Sequence, residues 1–462
     1  MHPIMPDTTI KLPAEAARFL SRYPDTGSLD AIFPDLSGVI RGKRYPIAEL
    51  GTVMESGFAL PGSVFMLDTQ GESHDPDGIG FSDGDPDYQA KVIPGTLMPV
   101  PWAQRPLAQV MVTLIDDDGA PYYYEPRNVL RRVGQRLYDL GLTPVVAFEL
   151  EFYLIDRERL PGGSPQPPIS PATGRRDFGT QVYGMRTLDA YDAMLDDITR
   201  ACAIQEVPTG AVTAEYAAGQ FEINLEHVDD PIQAADDCIL FKRIVQGVAQ
   251  KHGFQATFMA KPYLNRAGNG MHMHVSLLDE IGRNVFDGGT AIASDTLRHA
   301  IGGVLQVLPE SMAFLAPNVN SYRRYLPDIF VPTQRSWGFE TRSVALRIPA
   351  GGGEARRIEH RVAGADANPY LALATLLAGI HKGIVEKIDP GKPWDGNAAM
   401  EYDDGLPFRP GRAYEKLTET CGLADYIGAD YLRAYAACKE AELESFESQI
   451  SPLEYTWFLQ AD

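Results

Sequence analysis

Alternation of apolar and polar residues predicts several β-strands that each have one apolar and one charged face. In VVAFELEFYL (145–154) the apolar side chains share one face and Glu149 and Glu151 share the other, because successive side chains of a strand point to opposite sides. Solvent-facing strand surfaces usually mix Thr, Ser, Lys and Gln, whereas these hold almost only carboxylate, imidazole and guanidinium groups. Any one strand alone could simply face solvent, but together they indicate a binding surface. The other segments with this pattern are GQFEINLEH (219–227), MHMHVSL (271–277) and RRIEHRV (356–362).

The first quarter of the chain predicts a short helical leader and then a smaller, turn-rich domain. Apolar residues recur at helical spacing in EAARFLSRY (15–23). Two hairpins are expected, in 31–46 around Asp35 to Gly38 and in 109–126 at Asp118-Gly119. The polar stretch 68–89 has no periodicity and predicts a long surface loop. A helix after Pro126, closed by Gly141, marks the start of the larger domain. We therefore divide the chain into a leader (1–25), a small domain (26–122) and a large domain (123–462).

The amino-acid composition indicates the general class of protein but gives little information about its chemistry. The 462 residues are 44% hydrophobic and 22% charged, with no apolar run long enough to cross a bilayer and no secretory signal, so we expect a cytoplasmic protein without a membrane role. The net charge of −21 disfavours a nucleic-acid surface and favours cationic ligands, although a merely solubilising surface would look the same. Four separated cysteines predict reduced, structural thiols; these are Cys202, Cys238, Cys421 and Cys438.

The charged strand faces predict metal and anion chemistry. Clustered carboxylates with an occasional imidazole suit Mg²⁺ or Mn²⁺ better than zinc, and a divalent metal pair would remove their mutual repulsion. Arginines bind no metal and would hold phosphate or carboxylate groups. Metal, arginine and anion together indicate phosphoryl transfer. No P-loop or kinase Gly-rich loop is present, and AGGGE (350–354) is a weak signal that is more typical of a flexible loop.

These same residues carry a resemblance to the glutamine synthetase superfamily from about Asp30 to the C-terminus. The matching motifs are ELE (149–151), the array from Glu215 to Glu222, GNGMHMHVS (268–276), NSYRR (320–324), ALRIP (345–349), RRIEHR (356–361) and ANPY (367–370). Further segments look like the γ-glutamylpolyamine (glutamate–putrescine) ligase branch; they are FMAKPY (258–263), LAPNVNSYRR (315–324), VPTQRSWG (331–338) and VAGADANPYL (362–371).

The resemblance implies a role for each matching position. It implies two to three Mg²⁺ or Mn²⁺ ions per active site, held near the glutamate and amine by Glu151, Glu215 and Glu222, and at the ATP phosphates by Glu149, His272 and Glu359. His274 and Ser276 would face the nucleotide, Arg324 and Arg361 with the Gly268 backbone would hold glutamate, and Arg342, Arg347 and Arg357 would face the phosphates. Glu215, Arg342 and Arg324 are the implied catalytic residues. The implied reaction is attack of the glutamate γ-carboxylate on ATP to give γ-glutamyl phosphate, followed by displacement of phosphate by an amine.

Four departures from the family pattern bear on the substrate. Phe330 and Pro61 stand where ammonia-using relatives have acidic residues at the ammonium site, and an apolar Phe330 suits the carbon chain of an organic amine better than a bare cation. Another residue, such as Glu340 or Tyr183, could instead take over ammonium binding. The two other departures are Ala267, near the glutamate, and Glu354, in place of an ATP-binding lysine.

Three readings of the function follow. The first is an ATP-dependent ligase that joins glutamate to a di- or polyamine such as putrescine, whose distal ammonium would need an acidic anchor; Glu340 and the 68–87 loop are candidates. The second uses a monoamine, with an ammonia-using enzyme as the remaining option of this kind. The third, a catalytically silent oligomer, predicts missing metal ligands, yet all six are present.

The resemblance also implies the architecture. We expect an α+β protein with an N-terminal β-grasp domain and a C-terminal catalytic domain built on a curved antiparallel sheet with flanking helices. Its partners would be copies of the same chain in a six-membered or doubled ring, with active sites between subunits. Tyr402 lies near the position where some relatives are adenylylated, but the surrounding residues differ, and we predict an ordinary exposed tyrosine.

Overall fold

The computed structural model describes residues 12–179, 181–289, 293–327, 329–419 and 422–461. Residues 1–11 of the predicted leader and Cys421 lie outside these ranges. The described chain forms two β-sheets, one from residues 28–115 and one from residues 143–360, with helices packed around them. The predicted α+β fold with a curved, largely antiparallel sheet and flanking helices is confirmed. The β-grasp topology and the domain boundaries stay predictions.

The first sheet has the strand order β2-β1-β6-β4-β3, and β5 pairs with β6. The turn at residues 35–38 joins β1 to β2 as an antiparallel hairpin, with Gly38 at φ 77°, so the first predicted hairpin is confirmed. The second was too long, because beyond β6 only Ile115 bridges to Pro121 before the chain turns into a helix at Pro126. The strands are β1 (Ser28–Pro34), β2 (Ile40–Pro46), β3 (Phe58–Pro61), β4 (Asp87–Val92), β5 (Met98–Pro99) and β6 (Leu107–Ile115).

Two helices and an anchored loop complete this part of the molecule. The predicted leader helix is α1 (Ala14–Arg22), which buries Phe19 in the core of the first sheet, and α2 (Leu50–Ser56) follows β2. The predicted loop (68–89) contains the 3₁₀ turn Pro76–Gly78, and its last residues already belong to β4. Another 3₁₀ turn, Gly62–Phe65, precedes the loop. Within it, the buried Asp68 accepts hydrogen bonds from the backbone N–H groups of Gln70 and Glu72 and contacts His74. The loop is therefore held in place by its own carboxylates.

The second sheet has the order β12-β13-β14-β11-β7-β9-β8, and β10 pairs with β7. It is antiparallel except for the parallel pair β12–β13. All four strands predicted from alternation are present, although β14 spans only three residues, so that Arg357 and Arg361 flank it. The strands are β7 (Thr143–Ile155), β8 (Thr209–Ala214), β9 (Gln220–Leu225), β10 (Gln255–Thr257), β11 (Met271–Leu278), β12 (Trp337–Phe339), β13 (Leu346–Ile348) and β14 (Ile358–His360).

Helices cover the apolar face of this sheet and leave its charged face open. The apolar side chains of β7, from Val146 to Leu154, are buried against α4, α5 and α7 in one large core. The predicted helix after Pro126 is α3. The helices are α3 (Pro126–Tyr138), α4 (Met185–Ile204), α5 (Pro231–Lys251), α6 (Asp295–Leu315), α7 (Pro369–Glu386), α8 (Pro410–Glu419), α9 (Ala424–Ile427), α10 (Ala429–Glu447) and α11 (Pro452–Phe458).

The predictions about membrane-spanning helices and about the cysteines can be compared with the described residues. None of the helices there combines the length and apolar character needed to cross a membrane. Cys202, Cys238 and Cys438 are buried free thiols, as predicted. Burial raises the pKa of each to about 12, which makes them structural rather than reactive.

Candidate active site

The charged face of the second sheet gathers side chains from four adjacent strands. Antiparallel pairing places Glu149 opposite His272 and Glu151 opposite Glu222, and it places His274 opposite Glu359. These residues alternate with buried apolar ones, so the same pattern that packs the core aims them at a common space. The sequence alternation therefore brings separate motifs together at the centre of the sheet.

Two sets of potential metal ligands lie within this space. Ligand atoms of Glu149, Glu222 and His272 lie within 4.8 Å of one another, and so do those of Glu149, His274 and Glu359. These sets share Glu149, whereas the resemblance divides the six ligands differently and assigns His274 to the nucleotide. The structure brings the predicted ligands to one face, and their division between ions stays a prediction.

Hydrogen bonds fix Glu149 and the two histidines. Glu149 Oε1 lies 3.0 Å from His272 Nδ1, and Glu149 Oε2 lies 3.2 Å from His274 Nε2. Arg357 donates from Nε to His274 Nδ1 at 3.2 Å. Since that nitrogen accepts, His274 must carry its proton on Nε2 and donate it to Glu149. Both carboxylate oxygens of Glu149 are thus oriented by imidazoles.

The carboxylates on this face repel one another strongly. Burial, and then the charges of Glu149, Glu151 and Glu215, raise the pKa of Glu222 far above its ordinary value. Burial and the charge of Glu151 raise the pKa of Glu215 to about 7. Burial acts on Glu149 in the same direction, but its hydrogen bonds to His272 and His274 outweigh this and lower its pKa. An oxygen-rich set of this kind fits Mg²⁺ or Mn²⁺, whose charge would offset the repulsion.

Arginines close the β13–β14 side of the site. Arg347 donates from Nη1 to Glu359 Oε2 at 2.7 Å, and Arg361 donates to Glu359 Oε1. Burial would raise the pKa of Glu359, but the charges of Arg361, of the two histidines and of Arg347 lower it to about 2. Arg342 is exposed and donates to the hydroxyl oxygen of Tyr183 at 3.2 Å. Arg342 therefore lies at the open mouth of the site, whereas Arg361 lies inside it.

A second anion-binding position surrounds Arg324. Arg324 is 3% exposed, its Nη1 donates to the Val362 carbonyl at 3.0 Å, and its Nε has no hydrogen-bond partner within the described part of the chain. The Arg324 side chain packs over Gly268 and Gly270. A Cβ added at Gly268 would lie 2.7 Å from Arg324 Cγ and 2.7 Å from the Ala260 carbonyl oxygen. Glycine is therefore required here to seat the guanidinium. A buried guanidinium with a free N–H is suited to a carboxylate ligand.

A cavity of about 180 Å³ lies on the His274 side of the sheet. Glu149, His274 and Arg357 line it, as do Glu226 and His227, to which we assigned no role from the sequence. The His227 and His274 rings lie 6.2 Å apart, edge to face. Ser276 lies on the same strand face, opposite Val145. Of the residues predicted to face the nucleotide, His274 and Arg357 line this cavity, whereas Ser276 and Arg347 do not.

Two of the predicted acceptor residues, Tyr183 and Phe330, lie beside chain neighbours of Glu215, since the Tyr183 N–H donates to the Ala214 carbonyl at 2.9 Å and Phe330 lies near Tyr216. Glu215 lines a cavity of about 410 Å³, whereas Tyr183, Phe330 and Pro61 do not line it. Phe330 is 59% exposed, and its ring lies 6.3 Å from that of Tyr216. Tyr183 has a left-handed backbone, φ 60°, an outlier of the kind found at functional sites. Pro61 ends β3 in the first sheet.

The other positions singled out from the sequence lie apart from the two cavities. Glu340 follows β12 with its backbone N–H bonded to the Ile348 carbonyl. The Ala267 carbonyl accepts from the Tyr153 hydroxyl at 2.8 Å. Glu354 lies in a short 3₁₀ turn after β13. Tyr402 is 44% exposed and its hydroxyl donates to the Tyr325 carbonyl.

Three residues support the carboxylates in a way that we did not predict. The Gly270 N–H donates to Glu151 Oε2 at 2.8 Å, and Asn224 Nδ2 donates to Glu149 Oε2 at 3.3 Å. Gln220 is buried and donates from Nε2 to Glu151 Oε2 at 3.5 Å and to the Gly268 carbonyl at 2.9 Å, while its Oε1 has no partner among the described residues. Gln220, Glu222 and Asn224 alternate along β9, so strand parity was the signal that could have identified Gln220 and Asn224.

The sequence and the fold of this chain are similar to those of known proteins. A family model described as the glutamine synthetase catalytic domain matches residues 123–458. The gamma-glutamylputrescine synthetase PuuA of Escherichia coli K12 is 43% identical over 448 residues, covering 96% of this chain and 94% of that protein. The glutamine synthetase of Pyrococcus horikoshii is 34% identical over 424 residues, covering 90% and 89%. A solved GmaS/ADP complex matches with a TM-score of 0.82 at 27% identity, covering 96% of this chain and 99% of that chain.

Proposed function

The chain belongs to the glutamine synthetase family, and we propose that it is an ATP-dependent ligase that joins the γ-carboxylate of glutamate to a primary amine, most readily a di- or polyamine such as putrescine. One observation carries the choice of amine: the 43% identity to a gamma-glutamylputrescine synthetase extends over nearly the whole of both chains. Phe330 and Pro61 at the acceptor positions support it, because neither side chain can pair with an ammonium ion.

We propose the following roles for the metal and nucleotide residues. Mg²⁺ or Mn²⁺ would be held by Glu149, Glu151, Glu215, Glu222, His272 and Glu359, and would supply positive charge beside the ATP phosphates. His274, Ser276, Arg347 and Arg357 would contact ATP. The two histidines keep the carboxylate of Glu149 oriented before any ligand binds, which lowers the cost of assembling the site.

The chemical steps would be positioned by the arginines. Arg324 and Arg361, with the Gly268 backbone, would hold glutamate so that a γ-carboxylate oxygen attacks the γ-phosphorus of ATP and ADP leaves. Arg342, at the mouth of the site, would neutralise charge on the transferred phosphoryl group. The amine nitrogen then attacks the γ-carbonyl carbon of γ-glutamyl phosphate, the C–O bond to phosphate breaks, and the nitrogen loses a proton. Tyr183 and Phe330 would border the incoming amine, and Glu215 would bind it as an ammonium ion, which must lose one proton before its nitrogen can attack and loses the second after the C–N bond has formed.

We propose that the protein works as a homo-oligomeric ring, six- or twelve-membered, with active sites shared between subunits. Several large apolar side chains remain exposed near the C-terminus, among them Trp457, Phe458 and Leu459, each more than 60% exposed. An apolar surface of this kind is typical of a protein interface. The partners would otherwise be small molecules only, namely glutamate, an amine and ATP.

Phosphate release tests the proposed function. The purified protein is incubated with ATP, glutamate and Mg²⁺ and, in turn, ammonium, putrescine, spermidine, ethanolamine, isopropylamine, aniline and phenylethylamine. We expect strong release with a di- or polyamine and little with ammonium. Turnover with ammonium alone would show that the interpretation of Phe330 and Pro61 is wrong. Turnover with a monoamine alone would replace polyamines by that class of acceptor.

A further inference from the structure

The side chains that line the cavity beside Glu215 differ from those that line the cavity on the His274 side of the sheet. Its volume is about 410 Å³, whereas a water molecule, which is close in size to an ammonium ion, occupies about 30 Å³ in the liquid. Four alanines line part of it, Ala172, Ala190, Ala217 and Ala218, and two carboxylates besides Glu215 line it, those of Asp177 and Asp189. The space is therefore larger than ammonium requires, and it combines short apolar walls with negative charge.

The two aspartates differ in how they are held. Asp177 is half-buried and accepts a hydrogen bond from the Tyr191 hydroxyl at 3.2 Å on Oδ2. Tyr191 belongs to α4 and is buried in the core, which fixes the position of the Asp177 carboxylate. Asp189 is exposed on the first turns of α4. One anchored and one exposed carboxylate thus line the same cavity as Glu215.

We propose that this cavity is the acceptor subsite, in which Asp177 and Asp189 bind the distal ammonium of a diamine while its other nitrogen reacts beside Glu215. The inference rests on the proposed function and deepens it, because it selects diamines over monoamines of equal length. The alanines accommodate the carbon chain, which has no polar group to satisfy. A charge-assisted hydrogen bond at the far end distinguishes an ammonium group from a methyl group.

The charge balance of the cavity supports a cationic ligand. Arg186 also lines it, but that side chain is exposed, and three carboxylates outnumber it. The net charge of −21 on the whole chain favours the approach of a dication over that of an anion. Glu340, the sequence-based candidate for the acidic anchor, does not line this cavity.

Matched substrates test the subsite. Putrescine and n-butylamine have the same four-carbon chain, but only putrescine has a second ammonium group. We expect kcat/KM for putrescine to exceed that for n-butylamine at least tenfold. Asp177→Asn and Asp189→Asn together should remove most of this preference by raising the KM for putrescine at least tenfold. The n-butylamine reaction and the KM values for glutamate and ATP should stay unchanged. Asp192→Asn, an exposed aspartate of α4 that does not line the cavity, is the matched control.

The outcomes separate this inference from the proposed function. Equal kcat/KM for the two amines in the wild type, or equal loss with both amines in the variant, would overturn the subsite and leave the ligase activity standing. Wild-type turnover with ammonium alone would overturn both. If the double variant folds poorly, Asp189→Asn alone decides, because this side chain is exposed on α4; an unchanged preference would then overturn the proposed pair of anchoring aspartates.

Discussion

The carboxylates of the site differ in the hydrogen bonds that hold them. Glu149 is oriented by two imidazoles and an amide, and Glu151 is held by the backbone N–H of Gly270. The backbone N–H of Glu215 bonds to the Gln220 carbonyl, which fixes where its strand turns but not its carboxylate. Part of the proposed metal-binding set is therefore oriented by the sheet itself, and we expect the remainder to be ordered by the ion.

Replacing Glu151 tests the metal site at the residue scale. Glu151→Ala removes a carboxylate oxygen placed by β7 and by Gly270. We expect glutamate- and amine-dependent phosphate release at saturating Mg²⁺ to fall by about 100-fold or more, because the loss of ligand charge weakens both metal and phosphate positioning. Glu158→Ala, on the exposed segment after β7, should leave the rate unchanged. Survival of the wild-type rate in Glu151→Ala would refute the assignment.

A single methyl group tests the glutamate position. Gly268→Ala would place a carbon 2.7 Å from Arg324 Cγ and from the Ala260 carbonyl oxygen, so the guanidinium must move. We expect the KM for glutamate to rise about tenfold or more while the KM for ATP changes little, since misplacement by about 1 Å is costly for a positioning residue. Steady-state kinetics at varied glutamate would measure it. Gly27→Ala, at an open and exposed position just before β1, is the control; equal KM values in both variants would contradict the role of Arg324.

At the scale of elements, one buried acid joins the first sheet to the helix that leads into the second. Glu125 precedes α3, and its Oε2 accepts from the Thr113 hydroxyl, from the Leu114 N–H and from Asn128. Its Oε1 is buried with no partner. Burial raises the pKa of Glu125 from 4.5 to about 7, against the lowering effect of its hydrogen bonds. The folded protein therefore binds this proton more tightly than the unfolded chain does.

The sign of the resulting pH dependence follows from linkage. Because the folded-state pKa is the higher one, the contribution of Glu125 to the free energy of unfolding is present below pH 4.5 and is lost as the pH rises to about 7, by about 3 kcal/mol at most. Glu125→Gln keeps an acceptor for the three donors but has no charge to bury. Thermal unfolding at pH 5 and pH 8 should show the variant gaining stability relative to the wild type only at the higher pH. Glu55→Gln, on the exposed face of α2, should show no such difference; a pH-independent offset in Glu125→Gln would refute the titration.

At the scale of the whole molecule, the C-terminal segment leaves apolar area without a partner in one chain. Tyr455, Trp457 and Phe458 on α11 are each more than half exposed. Joint replacement of Trp457 and Phe458 by serine should shift the protein to smaller assemblies in native mass spectrometry, because burial of two aromatic side chains contributes several kcal/mol to an interface. Ile281→Ser, at an equally exposed turn, is the control. An unchanged assembly would show that α11 is not an interface.

Local sequence pattern was enough to predict most strands and helices and the types of side chain at the candidate site. In the strands at 145–154 and 271–277, successive side chains point to opposite faces. Because the apolar side chains pack on one face, Glu149, Glu151 and His272 must lie on the other. The resemblance to the glutamine synthetase family rested on these same motifs and has been confirmed. The short β14 and the truncated hairpin after β6 were less accessible, because their ends depend on neighbouring segments rather than on local pattern.

Contacts between residues that are distant in the sequence depend on the packing of the whole fold. The register of β7, β9, β11 and β14 pairs Glu149 with His272 and Glu151 with Glu222, and register is set by the packing of the whole sheet. The packing of α4 against the site brings Asp177 and Asp189 to the cavity of Glu215, although neither lies in a recognisable motif. Their placement depends on long-range burial, such as that of Tyr191 in the core, and no local sequence rule encodes such contacts.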